Sequence, residues 1–367
     1  MSGSLRYHHL DNLRWSAMLM GVFVHALTVS DFGRLEVISF LSHMFRMPLF
    51  YMISGFLAAM LIERQGGQTF LRNRLRNICV PLLFGLVVLN PPTLQMIYLH
   101  FNGETATTRT LWLAATGQAE AEGQLVWHLH LWFLIPLALY ACAAPLAMPA
   151  IVRLARLIET FFSTPGHLPG LATWTVILLT VSSITVIRIA LNLIEVATGP
   201  LPWLVVATLT YLPFYATGMM LHSSSVLMAA AARAGPLSGA IAIGLYLAAL
   251  AAPFSGLAGA VAEQVGLAIA RCWICLALLY WGQKWFSAHN AVTDTLSRAI
   301  YTVYLLHYGL IYGLVVGLGG TIAFGGPIDY LALVVAVVAI SLAIHAFIVS
   351  PSRILTYVMN GRLSNSK

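Results

Sequence analysis

Apolar stretches of the length that crosses a bilayer follow one another along almost the whole chain. A transmembrane helix needs roughly 20 predominantly apolar residues. We predict ten such spans, at residues 13–31, 37–61, 77–98, 128–149, 172–194, 203–222, 235–255, 265–285, 299–319 and 328–350. Only 8% of the residues are charged, whereas soluble proteins carry about 25%. The sequence therefore predicts an all-α, polytopic integral membrane helix bundle of about ten transmembrane helices, forming a single domain over residues 1–367.

The distribution of Lys and Arg predicts how the chain is oriented. Cytoplasmic segments of membrane proteins carry an excess of these two residues. If the N-terminus is inside, the predicted inner segments hold most of the basic residues, and the outer loops hold only Arg34 and Arg109. We therefore predict that both termini are cytoplasmic and that the protein is embedded in a lipid bilayer. Topology also explains the net charge of +7, so no nucleic-acid partner is predicted.

Two ionisable residues, Arg14 and His25, share one face of the first predicted span. Their separation of eleven residues is about three helical turns plus 20°, or roughly 16 Å along the axis. An ionisable residue inside a membrane helix is costly and suggests a functional site. Asp11 lies three residues before Arg14, where a helical ion pair is possible. The alternatives are an Arg14 that reaches the inner interface and a His25 that only packs against a neighbouring helix.

The second predicted span contains His43 and Arg46, three residues apart in its outer half. Arg46 lies too deep to reach the interface easily, so we expect it to need a partner or a water-filled cavity. Ser54 and Gly55 follow, and small residues of this kind allow helices to approach closely.

The fourth and ninth spans carry further His and aromatic residues. The fourth opens with His128, His130 and Trp132, for which the alternative role is an interfacial aromatic belt. In the ninth span Tyr301, Tyr304 and Tyr308 share a face, and His307 lies three residues after Tyr304. The alternative for these residues is packing, or an interfacial girdle in the case of Tyr301.

Two other clusters are candidates for binding. Arg72, Arg74 and Arg76 are predicted to form a basic inner loop, which can either hold phosphates or only enforce topology. Cys272 and Cys275 have the CxxC spacing, but no second pair or His cluster accompanies them in the sequence. Structural zinc sites need four ligands, so we predict that these cysteines pack in a helix and that no metal is bound.

These fragments together resemble membrane acyltransferase family 3, a group of integral membrane acyltransferases. The resemblance rests on Arg14 and His25 with ten residues between them, then FRMPLFYMISGF, HLWFL and YTVYLLH, in that order across residues 7–310. The start HHLDNLR and the segment SHMFRMPLF are most similar to the branch associated with succinyl transfer to osmoregulated periplasmic glucans. That resemblance implies an enzyme of the bacterial inner membrane.

The resemblance also implies a donor and an acceptor. The donor is an acyl-CoA, with succinyl-CoA fitting the branch, used as a co-substrate from the cytoplasm with no tightly bound cofactor. The acceptor is a hydroxyl of a periplasmic glucan or a related envelope saccharide. His25 is the expected general base or acyl carrier, and Arg46 is expected to stabilise an oxyanion or to pair with a succinyl carboxylate.

The candidate site residues form three sets, one for catalysis, one for the donor and one for the acceptor. The catalytic set comprises His25, Arg46 and His43. The donor set comprises Arg14, Asp11, Ser54, Arg72, Arg74, Arg76, Tyr301, Tyr304 and His307. The acceptor set comprises His130, Trp132 and Glu195.

Two other classes of protein remain open from the residues alone. A transporter or flippase of an anionic lipid or saccharide also explains ten spans and intramembrane arginines, although no inverted repeat is visible. A haem or quinone protein would use the intramembrane histidines as ligands or hydrogen-bond partners.

Overall fold

The computed structural model describes residues 8–162, 169–231, 236–251, 256–287, 290–319 and 325–361. Within these ranges the regular structure is helical and contains no strand. The first seven helices are α1 (His8–Ala26), α2 (Glu36–Gln65), α3 (Gly67–Phe84), α4 (Asn90–Asn102), α5 (Thr108–Ala115), α6 (Leu134–Phe162) and α7 (Pro169–Thr198). The others are α8 (Trp203–Ser223), α9 (Ser225–Ala231), α10 (Pro236–Ala251), α11 (Gly256–Trp285), α12 (Ala291–Leu318), α13 (Pro327–Ile344) and α14 (Arg353–Asn360).

Eight helices in the described ranges are long and apolar enough to cross a membrane. They are Gly33–Gln65, Gly67–Asn102, Leu129–Phe162, Leu171–Thr198, Trp203–Ser223, Val261–Trp285, Ala291–Leu318 and Pro327–Val349. Each corresponds to one predicted span, so the predicted all-α polytopic membrane fold is confirmed. The two other predicted spans also form helices, α1 with 19 residues and α10 with 16, but within the described residues neither is both long and apolar enough to be counted as a membrane span.

Large apolar side chains are exposed along these helices, as lipid contact requires. Val196 on α7 is 87% exposed and Leu146 on α6 is 85% exposed. Soluble proteins rarely expose extended apolar surface of this kind. The exposed residues therefore support a hydrocarbon environment for the helix faces that carry them.

The prediction of a basic loop at residues 72–76 is wrong, because Arg72, Arg74 and Arg76 lie within helix α3. The turn comes earlier, at Gly66, whose φ of +80° suits a residue without a side chain. The segment LRNRLRN contains no Gly or Pro that would interrupt a helix. Clustered charge was mistaken for a loop, although arginine is a good helix former.

The chain divides into two compact units. Unit 1 comprises the described parts of Met1–Ala17, His43–Leu71 and Tyr140–Asn290, and unit 2 comprises those of Met18–Ser42, Arg72–Leu139 and Ala291–Lys367. Helices α1, α2, α3 and α6 contribute residues to both units.

Unit 1 is organised by a close approach of α2 and α8. A Cβ atom at Gly55 would lie 1.9 Å from the carbonyl oxygen of Tyr215, and one at Gly218 would lie 1.9 Å from that of Met52. Only glycine allows the two backbones to touch at both points. Helix α7 packs against α8, and the hydroxyl oxygens of Thr180 and Thr217 lie 2.6 Å apart between them.

Unit 2 is built around α12, which packs against α4 and α13. A Cβ atom at Gly309 would lie 2.9 Å from Oγ1 of Thr93, so α4 and α12 are also in close contact. Irregular helical turns occur at Gly85–Leu89, at Leu129–Phe133 and at His345–Val349. The second is a 3₁₀ turn at the start of α6, where such turns are common, and it carries a candidate residue, His130.

Candidate active site

Three histidines from distant parts of the sequence meet in unit 2. The ring centroids of His25 and His307 are 5.3 Å apart, those of His130 and His307 are 4.8 Å apart, and those of His25 and His130 are 6.2 Å apart. We call His25, His130 and His307 the histidine cluster. All three residues are predicted site residues, but the sequence predicted a different role for each: catalysis for His25, acceptor binding for His130 and donor binding for His307.

Each histidine is placed by a different kind of element. His25 lies in the last turn of α1, and His307 lies near the middle of α12, where it is fully buried. His130 lies in the 3₁₀ turn Leu129–Phe133 that precedes α6. The turn begins at Leu129, whose φ of 44° is rare for a residue with a side chain.

Two tyrosines of α12 line the histidine cluster. The ring of Tyr308 lies 4.9 Å from that of His25 and 5.2 Å from that of His130. The ring of Tyr304 lies 5.2 Å from that of His130. Both tyrosines are buried. The cluster is therefore lined by aromatic rings, with His130 and His307 buried and His25 half-buried.

The main chain fixes the tautomer of His307. Its Nδ1 lies 2.6 Å from the carbonyl oxygen of Tyr304. A carbonyl oxygen only accepts hydrogen bonds, so Nδ1 carries the proton. In the neutral ring Nε2 then has a lone pair, which can accept a proton or a hydrogen bond from a substrate.

A hydrogen bond holds the main chain of His130, while its ring makes no hydrogen bond of ordinary length in the described ranges. The hydroxyl of Tyr304 donates a 2.7 Å hydrogen bond to the carbonyl oxygen of His130. The His130 side chain is only 5% exposed. Within the described ranges, neither of its ring nitrogens has a hydrogen bond of ordinary length. Buried polar groups are almost always hydrogen-bonded, so this ring is a strong candidate for contact with a ligand.

The end of α1 that carries His25 is anchored by three aromatic side chains of unit 2. The hydroxyl of Tyr330 donates to the carbonyl oxygen of Phe23 at 2.9 Å. The ring nitrogen Nε2 of His100 lies 2.9 Å from the carbonyl oxygen of Val29. The hydroxyl oxygens of Tyr312 and Thr28 lie 3.0 Å apart, and Thr28 also donates to the carbonyl oxygen of His25 at 2.7 Å. These hydrogen bonds fix the main chain on both sides of His25.

The predicted donor residues of unit 2 do not all face the same way. The ring centroids of Tyr301 and Tyr304 lie 6.1 Å apart along α12, and those of Tyr304 and His307 lie 5.8 Å apart. Arg72 is exposed. Arg76 instead donates through Nε to the carbonyl oxygen of Gly361 at 3.1 Å, and thereby holds the end of α14 against α3. This contact is structural and leaves less of Arg76 for a phosphate.

The other predicted residues belong to unit 1. Arg14 forms the expected ion pair with Asp11, at 3.7 Å. Arg46 is half-buried, Ser54 is buried and His43 is exposed. Glu195, predicted to contact the acceptor, accepts a 3.4 Å hydrogen bond from the main-chain nitrogen of Leu201 in the turn between α7 and α8.

Trp132 is half-buried in the same 3₁₀ turn as His130. Cys272 and Cys275 are free thiols, buried in α11. In the part of the chain that the structure describes, no group of three or more His, Cys, Asp or Glu side chains is arranged to hold a metal ion.

Sequence reasoning missed the residues that support the cluster. Tyr308 was recognised on the face of α12 but not chosen as a site residue, and Tyr312 and His100 were not considered. Tyr312 follows Tyr308 by four residues, so it continues the same face. That spacing was a usable signal. The contact of His100 with Val29 joins residues 71 positions apart, and no local pattern predicts it.

The cluster lies within a region that matches a known family. Residues 7–346 match the family model of an acyltransferase domain, that of membrane acyltransferase family 3. The match covers most of the chain, so the protein belongs to this family and is a membrane protein with an acyltransferase domain.

Among curated proteins, the chain is similar to glucans biosynthesis protein C. It is 25% identical to that protein from Salmonella paratyphi A over 241 residues, which are 59% of this chain and 58% of the relative. It is 22% identical to that of Escherichia coli O81 (strain ED1a) over 325 residues, which are 83% of this chain and 82% of the relative. The chain thus spans little more than half of the first relative's length. No solved structure matches this chain.

Proposed function

We propose that the protein is an O-acyltransferase of the bacterial inner membrane. It takes an acyl group, succinyl, from cytoplasmic succinyl-CoA and transfers it to a hydroxyl of a periplasmic glucan or a related envelope saccharide. The observation that carries the proposal is the histidine cluster enclosed by Tyr304 and Tyr308. Family membership favours an enzyme over a transporter or flippase, and the name of the relatives supports a glucan acceptor.

The reaction needs a base, because a sugar hydroxyl is a weak nucleophile. In the proposed step His25 accepts the hydroxyl proton while the hydroxyl oxygen bonds to the thioester carbon. The carbon–sulfur bond then breaks, and the proton held by His25 passes to the leaving thiolate. The products are the sugar ester and CoA, and His25 returns to its neutral form. The enclosed site limits competition from water, which would hydrolyse the thioester.

The donor is proposed to be held from the cytoplasmic side. Arg72 and Arg74 on α3 are candidates for its phosphates, since guanidinium groups bind phosphate in a bidentate manner. The other residues of the proposed donor set are Arg14, Asp11, Ser54, Arg76, Tyr301, Tyr304 and His307. Arg46 is proposed to pair with the succinyl carboxylate, which an acetyl group would lack. His130, Trp132 and Glu195 are the residues proposed from the sequence for the acceptor, and His43 remains a proposed catalytic residue.

Mass spectrometry of envelope glycans tests the proposal in cells. Strains with and without the gene are compared, and the deletion strain is complemented with wild-type protein or with His25→Ala. We expect succinyl esters on the glucan in the wild type and after wild-type complementation, and none in the other two strains. Unchanged esters after deletion would exclude this substrate, and full restoration by His25→Ala would exclude the assigned base.

A further inference from the structure

We propose that His130 is a catalytic residue whose ring N–H donates a hydrogen bond to the oxygen that becomes negatively charged when the acceptor adds to the thioester. This inference rests on the proposed function and gives His130 a task beyond contact with the acceptor. The oxyanion donor is then His130 and not Arg46, and Arg46 keeps the proposed role of pairing with the acyl carboxylate.

The first observation is that the His130 ring is buried beside the main-chain carbonyl groups of Tyr304 and Leu305 without a hydrogen bond of normal geometry to either. Its side chain is 5% exposed, and both ring nitrogens are buried without a hydrogen bond of ordinary length in the described ranges. A neutral imidazole has one N–H donor and one lone pair. Burying such a group without a partner is unfavourable, so a substrate atom that accepts the hydrogen bond would satisfy it.

The second observation is that the position of His130 is fixed in advance. Tyr304 donates from its hydroxyl to the carbonyl oxygen of His130 at 2.7 Å, and the preceding Leu129 has a positive φ of 44°. Unusual backbone conformations persist where the surroundings impose them, and they occur often at active sites. A donor that does not have to reorganise during the reaction is what oxyanion stabilisation requires.

The third observation is the placement of the ring relative to the base. The centroids of His130 and His25 are 6.2 Å apart, so one substrate group that lies against the edges of both rings can contact both imidazoles. His307 and Tyr308 lie on the remaining sides, at 4.8 and 5.2 Å from His130. One ring can therefore accept the proton while another donates to the oxygen.

The step balances with His130 unchanged overall. The hydroxyl oxygen bonds to the thioester carbon, its proton goes to His25, and the carbonyl electron pair moves onto the oxygen that faces the His130 N–H. When that pair re-forms the carbonyl, the carbon–sulfur bond breaks. The sulfur then takes the proton from His25, and the hydrogen bond from His130 weakens again.

Two variants of the full-length protein in nanodiscs test the role of the N–H. His130→Leu removes the donor, whereas His130→Gln keeps a side-chain N–H. Loss of one oxyanion donor lowers kcat by about 10²–10³, so we expect this loss in His130→Leu with a donor KM within about threefold of wild type. We expect the kcat of His130→Gln to be at least tenfold higher than that of His130→Leu. His128→Gln is the matched control, because His128 is also buried but bonds through Nδ1 to the carbonyl oxygen of Leu129.

The outcomes separate this inference from the proposed function. The absence of any transfer from succinyl-CoA by the wild-type protein would refute the proposed function itself. An active wild type with His130→Leu within threefold in kcat would show that the ring only packs or binds a water molecule. Equal kcat in His130→Gln and His130→Leu would likewise exclude a role for the N–H. If His130→Leu fails to fold, as judged by its melting curve, His130→Met takes its place as the variant without a donor.

Discussion

The anchor at the end of α1 makes Tyr312→Phe an informative substitution. The Tyr312 side chain is fully buried, and its hydroxyl lies 3.0 Å from Oγ1 of Thr28 and 3.3 Å from the Thr28 carbonyl oxygen. The substitution removes one oxygen atom and keeps the ring, which makes an edge-to-face contact with Tyr308 at 5.5 Å between centroids. The expected effect is a looser turn directly after His25, with the fold and the aromatic wall intact.

The size of the effect follows from the lost hydrogen bonds. Removing one partner of a buried hydrogen bond costs about 1–3 kcal/mol. One tenfold step in rate corresponds to about 1.4 kcal/mol. If the whole cost appears as misplacement of His25 in the transition state, kcat falls by roughly 5- to 140-fold. The donor KM should stay within about twofold, because Tyr312 is not among the residues proposed to hold the donor.

Steady-state transfer from succinyl-CoA to a glucan oligosaccharide by purified protein measures both constants. Tyr98→Phe on α4 is the matched control, because the structure shows no side-chain hydrogen bond for Tyr98 among the described residues. A Tyr312→Phe enzyme with kcat within twofold of wild type would refute the idea that the anchor positions His25. A raised donor KM with unchanged kcat would assign Tyr312 to binding instead.

Two further predictions concern stability and donor binding. Gly218→Ala places a Cβ atom 1.9 Å from the carbonyl oxygen of Met52, so we expect a loss of about 1–3 kcal/mol or more and a lower melting temperature. Gly317→Ala, where nothing lies within 4 Å of the added atom, should not lower the melting temperature, and an equal loss in the two variants would refute the close approach. Replacing Arg72 and Arg74 together with Gln should raise the donor KM at constant melting temperature, whereas Arg76→Gln should also lower the melting temperature through loss of its bond to Gly361. An unchanged donor KM in the double variant would show that Arg72 and Arg74 do not bind the donor and only set the topology.

The sequence predicted the membrane fold well because hydropathy, which identifies a membrane span, is a property of a short local segment. Eight predicted spans coincide with helices of suitable length, since hydropathy over about 20 residues is sufficient to recognise a transmembrane helix. The segment of Arg72–Arg76 was misplaced for a related reason. A charged segment leaves the membrane whether it is helical or not, so composition does not distinguish a protruding helix from a loop.

The candidate site was predicted as a set of residues and not as an arrangement. His25, His130 and His307 were each identified, because a polar residue in an apolar span is rare and conspicuous. Their convergence depends on tertiary contacts such as that of Tyr304 with the carbonyl oxygen of His130, which join positions 174 residues apart. The assignment of Glu195 to the acceptor rested only on its predicted side of the membrane, and its bond to Leu201 is a local turn contact.

Acyl transfer by purified protein with His25 replaced tests the central claim most directly. Wild-type protein and His25→Gln are reconstituted in nanodiscs, given radiolabelled succinyl-CoA and a glucan oligosaccharide, and compared at equal melting temperature. We expect labelled ester from the wild type and at least a hundredfold less from His25→Gln, since general acid–base catalysis contributes about 10²–10⁴-fold. Labelled ester at the wild-type rate from His25→Gln would contradict the account.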